Sequence, residues 1–189
     1  MEYNYSKIEP IFKYYLRNGF SQSMQKIADA VQISKKTLFN RYSSKENLEY
    51  CLIDYWQIKS TERILERIEF SNHAVEKLMM FLFELQYCKN NESHFFQKAK
   101  EFFFDKTIQN GPHIQQLETI FTLGIKEDLF RFDSAPKVFA CFFHFNAMFL
   151  LLNDTLIYTD YIPFLYEPIL TESGKAFFGD IDIEQIFKS

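Results

Sequence analysis

Between Phe20 and Leu48 the chain reads FSQSMQKIADAVQISKKTLFNRYSSKENL, and this stretch constrains the fold more than any other. Met24, Ile27, Ala28 and Val31 recur at helical spacing behind Ser23, whose hydroxyl suits a helix N-cap. Gln32-Ile33 makes a turn. Ser34 then caps a second short helix from Lys35 to about Tyr42, and Ser43-Ser44-Lys45-Glu46 reads as the capping box of a third. The inward residues of the middle helix are Leu38 and part of Tyr42. Its outward surface is therefore left to Lys35, Lys36, Thr37, Phe39, Asn40 and Arg41.

Upstream, Ile8, Ile11, Phe12, Tyr15 and Leu16 predict a helix closed by Asn18-Gly19, glycine being suited to a left-handed C-terminal cap. Its start has two readings. Ser6-x-x-Glu9 resembles a capping box, whereas Pro10 lacks the N–H that a helix begun at Ser6 needs there. Downstream, Leu48, Cys51, Leu52, Tyr55 and Trp56 carry a longer helix, and helical periodicity continues with breaks near 70–72, 89–93, 110–112, 132–136 and 153–160. No strand alternation of any length appears, so the expected class is all-α. The reading divides the chain into a three-helix head over 1–55 and a helical body over 56–189, joined by continuous helix because no Gly/Ser linker intervenes.

Charge is split between these parts. Residues 1–50 hold eight Lys/Arg against five Asp/Glu, a balance of +3, while the whole chain carries −4. An acidic body with a basic head suits a protein that touches nucleic acid at one end only. Cys51, Cys88 and Cys141 are far apart and odd in number, so neither a disulfide framework nor a metal site is expected. Met1 to Tyr5 lacks the basic and apolar regions of a signal peptide, and the greasiest run, Val138 to Leu152, is too short to span a bilayer. The expected location is the cytoplasm. Phosphate-loop, zinc-protease and nucleophile-elbow motifs are absent from the sequence, and the four histidines are scattered. No enzymatic activity and no cofactor are expected.

An α-helix fits the DNA major groove, where Asn can bond adenine in paired fashion and Lys or Arg can donate to guanine. The outward residues of the middle helix are of these types. Asn40 is the candidate for adenine, Lys36 or Arg41 for guanine, and Thr37 for a thymine methyl or a phosphate. Lys45, in the first turn of the following helix, adds a cation where the helix dipole already favours an anion, and is the leading phosphate contact. Ser23, Lys35 and Phe39 complete the candidate DNA-facing set.

In combination, Gly19, Ser23, Ile27-Ala28, Ile33-Ser34, Thr37-Leu38-Phe39, Tyr42 and Ser44-Lys45-Glu46 resemble the DNA-binding domain of the tetracycline-repressor (TetR) family of bacterial transcription regulators. The motifs span about the first quarter of the chain. Gln32 stands where that family usually has a turn glycine, and Phe39 where it commonly has tyrosine. The resemblance implies a homodimer on a pseudo-palindromic double-stranded operator. It also implies a helical body that dimerises through its last two long helices and often encloses an effector cavity.

The body residues are compatible with this. Phe145 and Phe149 on the Val138–Leu152 helix, with Phe164, Leu165 and Ile169 on a helix from about Pro163, are the candidate dimer contacts. Tyr87, Phe95, Phe103, Phe121, Phe142, His144 and Asn146 are candidates to line a pocket for a hydrophobic or aromatic small molecule. Aromatic residues at helical spacing are more often core than ligand contact. The expected function is a DNA-binding transcriptional regulator, a repressor whose operator affinity responds to a small-molecule effector. The alternative is a DNA-bound dimer controlled by a protein partner.

Overall fold

The computed structural model describes residues 5–69, 71–102, 110–131, 135–152, 162–163 and 165–181, and among these the fold is helical throughout. The long elements are α1 (Tyr5–Asn18), α2 (Met24–Ala30), α3 (Lys35–Tyr42), α4 (Lys45–Ile68), α5 (Ala74–Asn91), α6 (Ser93–Glu101), α7 (Pro112–Lys126), α8 (Pro136–Leu151) and α9 (Glu172–Gly179). An isolated antiparallel bridge joins Phe130 to Leu170.

Pro10 lies inside α1, which is already helical at Tyr5, so neither proposed start holds. Glu9 pairs with Lys13 one turn on (2.8 Å). Gly19 ends α1 at φ +67°, the left-handed conformation in which only glycine is unstrained, and His94 of α6 packs 3.2 Å from where a Cβ would stand. Ser23 and Ser34 cap as expected, whereas α4 is capped by Ser44 rather than by a Ser43–Glu46 box, because Ser43 closes α3 in the left-handed conformation at φ +62°. Ser23, Ser34 and Ser44 accept from the backbone N–H of Lys26 (3.3 Å), Thr37 (3.0 Å) and Asn47 (3.0 Å). Gln32 takes the left-handed conformation that glycine would fill more cheaply, at φ +55°, while Ile33 N–H reaches back to the Ala28 carbonyl (3.0 Å) to close α2.

Ile8, Ile11, Phe12 and Tyr15 of α1, Ile27 and Ala28 of α2, and Leu38 of α3 are all buried against Leu48, Leu52 and Tyr55 of α4. α4 runs unbroken from the head into the body. There it packs on α5 and α7, and α7 lies alongside α8. α6 also touches the head: Phe95 is wedged between Phe12 (4.7 Å between ring centroids) and Phe20 (5.0 Å), and Lys98 pairs with the buried Glu49 (3.1 Å).

Along α4 the contacts to the body are polar as well as apolar. Arg63 holds Glu84, fully buried on α5, through its Nε (2.5 Å), and Glu92 through its Nη2 (3.0 Å), while Trp56 Nε1 donates to that same Glu92 oxygen (2.6 Å). A buried carboxylate needs such partners, because removing water from a charge costs several kcal/mol on the order of magnitude. Glu84 sits on the same helical face as Phe81 and Cys88, and a lone acid at that spacing was the sequence signal for this network.

Candidate nucleic-acid interface

α3 presents its polar face to solvent. Lys35, Lys36, Asn40 and Arg41 are exposed, Phe39 is largely so, and Leu38 anchors the helix from beneath with no exposed surface. Thr37 is half-buried, and its hydroxyl shares a hydrogen bond with Ser34 Oγ (2.8 Å), so it braces the N-terminus of α3. Ser23 is exposed while its hydroxyl caps α2.

Lys45 is engaged within the head. Its ammonium donates to the Phe20 carbonyl (2.8 Å) and pairs with Glu49 (3.3 Å), tying the start of α4 to the α1–α2 connection. With Lys98 on the same carboxylate, Glu49 becomes the junction of head and α6.

The candidate pocket residues do not converge. Phe121 is buried against Phe130 and Phe143, and Phe95 fills the junction between head and body. Tyr87 is exposed beneath the Arg63 guanidinium (5.4 Å). His144 is buried, whereas Phe142 is on the outside and Asn146 Nδ2 donates to the Phe142 carbonyl (2.7 Å). The reason is helical pitch: at about 100° per residue, positions 142 and 144 point to nearly opposite sides. Phe103 lies outside the described residues.

His144 is part of a buried chain instead. The Ser60 hydroxyl of α4 lies within hydrogen-bonding distance of the Trp56 carbonyl (2.9 Å) and shares a hydrogen bond with His113 Nε2 (2.6 Å). His113 Nδ1 in turn shares a hydrogen bond with His144 Nε2 (3.1 Å). Burial and the neighbouring His144 push His113 well below the ordinary imidazole range, and burial lowers His144 to about 4. Both rings are thus neutral near pH 7. Trp56 and Phe81 meet the His113 ring edge-on, walling the chain from water.

The dimer candidates also separate. Val138, Phe142, Phe145 and Phe149 form one stripe on the outer face of α8, with 61%, 63%, 38% and 63% of their surfaces exposed. Leu165 and Ile169 are buried within the chain's own core, because the Phe130–Leu170 bridge draws that segment inward. Phe164 lies outside the described residues. Among the described residues no helix is long and apolar enough to cross a membrane, and no cluster of three or more His, Cys, Asp or Glu is placed to hold a metal ion.

The sequence matches no protein-family model and no curated protein. Its structure, however, is similar to that of a TetR-family transcriptional regulator from Pectobacterium atrosepticum, with a TM-score of 0.64 at 10% identity over 79% of this chain and 82% of the other. It is also similar to a TetR-family regulator from Agrobacterium tumefaciens (0.59; 16%; 88% and 99%) and to an ArpA-like γ-butyrolactone receptor (0.62; 11%; 97% and 95%). The chain has the TetR fold. In the TetR fold, α2 and α3 form the helix-turn-helix and the helices from α5 onward form the C-terminal body.

Proposed function

We propose that this protein is a DNA-binding transcriptional regulator, a homodimeric repressor acting in the cytoplasm, whose affinity for a pseudo-palindromic operator is altered by a small-molecule effector. The observation that carries this reading is the outer face of α3. It holds Lys35, Lys36, Asn40 and Arg41 in the open on a helix whose other side is fastened by Leu38 and whose start is capped by Ser34. A helix so mounted can enter a major groove without disturbing the core behind it.

The head, residues 1–55, is the DNA-binding unit, and residues 56–189 are the dimerising and effector-responsive unit. Asn40, Lys36 and Arg41 read base edges. Lys35, Thr37, Phe39, Ser23 and Lys45 hold the head to the backbone, Lys45 partly by fixing the start of α4. The α8 stripe supports dimerisation, since large apolar residues exposed at i, i+4, i+7 and i+11, three of them phenylalanines, need a cover. A dimer would present two α3 helices to half-sites about 34–36 Å apart. An effector-responsive body is in keeping with the similarity to a γ-butyrolactone receptor.

The test is titration of the protein into labelled duplex DNA by fluorescence anisotropy at several salt concentrations. Affinity should fall steeply with salt, because each phosphate neutralised releases a counterion. A protein that leaves duplex DNA unbound at low salt overturns the reading.

A further inference from the structure

We infer that the corner between α7 and α9 is a binding site for an amphipathic monoanion, a carboxylate on a compact apolar body. A half-open cavity of about 660 Å³ lies there, within the roughly 300–1,000 Å³ typical of small-molecule sites. Leu170, Phe178, Pro163 and Pro168 supply apolar wall, while Arg131, Lys175 and Glu167 are the charged residues at its surface. Two cations against one carboxylate make this lining positive in a body that is otherwise acidic.

The corner is firmly constructed. Arg131 N–H donates to the Ile169 carbonyl (2.8 Å), and Thr171 N–H to that of Leu129 (3.0 Å). Thr171 also caps α9 by accepting from Gly174 N–H (2.9 Å) and donates its own hydroxyl to the Asp128 carbonyl (2.6 Å). A Cβ on Gly174 would run into the Leu129 carbonyl, and one on Gly124 into the Phe130 ring, so two glycines permit the close approach. Arg131 Nε is pinned to the Leu170 carbonyl (2.5 Å), which pre-orients the guanidinium and leaves its outer nitrogens for a planar oxyanion. Lys175 is held by Glu172 (2.8 Å), which is almost wholly exposed, and such a surface pair yields readily to a competing anion.

Tyr166 backs the apolar wall. It lines the cavity, its ring stacks on Phe178 (4.9 Å), and its hydroxyl is buried with no hydrogen-bond partner among the described residues. The opposed Glu167 disfavours a head of higher charge.

Three monocarboxylates, hexanoate, decanoate and 4-phenylbutyrate, are titrated into the full chain by calorimetry without DNA, with 4-phenylbutanol and 4-phenylbutylammonium as comparisons. At least one acid should bind, and the alcohol and amine at least tenfold more weakly. Arg131→Gln should reduce that affinity tenfold or more. The inference is overturned if none of the acids binds, if the amine binds equally well, or if Arg131→Gln, shown folded by circular dichroism, leaves affinity unchanged. A regulatory role for this site rests on the effector-responsive reading above and is read separately: anisotropy with operator DNA and the bound acid. Calorimetric binding with no shift in DNA affinity keeps the site and removes its regulatory role.

Discussion

α3 and α8 each leave one face uncovered, and the two faces have opposite chemistry. On α3 the open residues are Lys35, Lys36, Asn40 and Arg41, with Phe39 the one large apolar member. On α8 they are Val138, Phe142, Phe145 and Phe149. Both helices are held from behind by buried side chains: Leu38 alone under α3, and Ala140, Phe143, His144, Ala147, Met148 and Leu151 under α8. A cationic, amide-bearing face gains by meeting phosphates and base edges. An aromatic face gains by leaving water altogether. On the proposed function, the two faces serve two different partners, DNA for α3 and a second copy of the chain for α8.

The largest expected effect breaks the α8 side of this comparison. Phe149→Glu should leave the isolated subunit folded, because Phe149 is already mostly exposed. In a dimer it would bury an unpaired carboxylate and should weaken association by several kcal/mol, on the order expected for such charges. Sedimentation should show a monomer at micromolar concentration, and tight operator binding should vanish while weak general DNA binding persists. A variant that remains dimeric removes the α8 stripe from the interface.

Next in size is an acid effect on the inward face of α8. His144 ionises near 4 in the fold rather than near 6.5, so the folded state binds fewer protons than the unfolded chain between those values. Its contribution to stability is fully present above about pH 6.5 and is lost as pH falls toward about 4, for a total of about 3 kcal/mol. His113 shifts in the same direction. Urea midpoints followed over that range should fall with acid, and His144→Phe should flatten the dependence. An equally steep fall in the variant assigns the acid sensitivity elsewhere.

On the α3 side, Asn40→Ala should cost about 1–3 kcal/mol at a selected operator and spare binding to random duplex. Equal losses on both would make α3 a backbone contact only. Lys45→Ala tests the smallest term. If Lys45 meets phosphate, the slope of log affinity against log salt should become shallower by about one. If its bonds to Phe20 and Glu49 are its whole role, the slope should stay and thermal stability alone should drop.

Much of the head was legible in the sequence. Serine caps at 23 and 34, the apolar spacing of Ile27, Ala28 and Leu38, and the glycine after α1 act within one or two helical turns, so their consequences are local, while the cap of α4 falls one residue later than the Ser43–Glu46 pattern predicts. Gln32 was legible as a departure from the expected glycine, and it takes the left-handed conformation all the same because the Ile33–Ala28 bond closes the turn around it. The body was less legible. Phe142 and His144 are two residues apart in a run of aromatics, and composition placed both in one pocket, yet helical pitch sends one outward and the other into the core. Leu165 and Ile169 looked like interface residues until the bridge to Phe130 placed them inside.

From sequence alone came the all-helical class, the order and caps of the first helices, the separation of a basic head from an acidic body, and the candidate DNA-reading residues. These follow from periodicity, short-range hydrogen bonding and charge, which need no knowledge of what lies across the core. Only the tertiary structure decided which aromatic residues are covered, that Lys45 is braced by Phe20 and Glu49, that Arg63 reaches Glu84 and Glu92, and that Ser60, His113 and His144 form one chain through α4, α7 and α8. Apart from Lys45–Glu49, one helical turn apart, these contacts join residues 21 to 53 positions apart, and the covering of the aromatic residues turns on the direction of a helix face; a linear pattern holds neither the distance nor the direction.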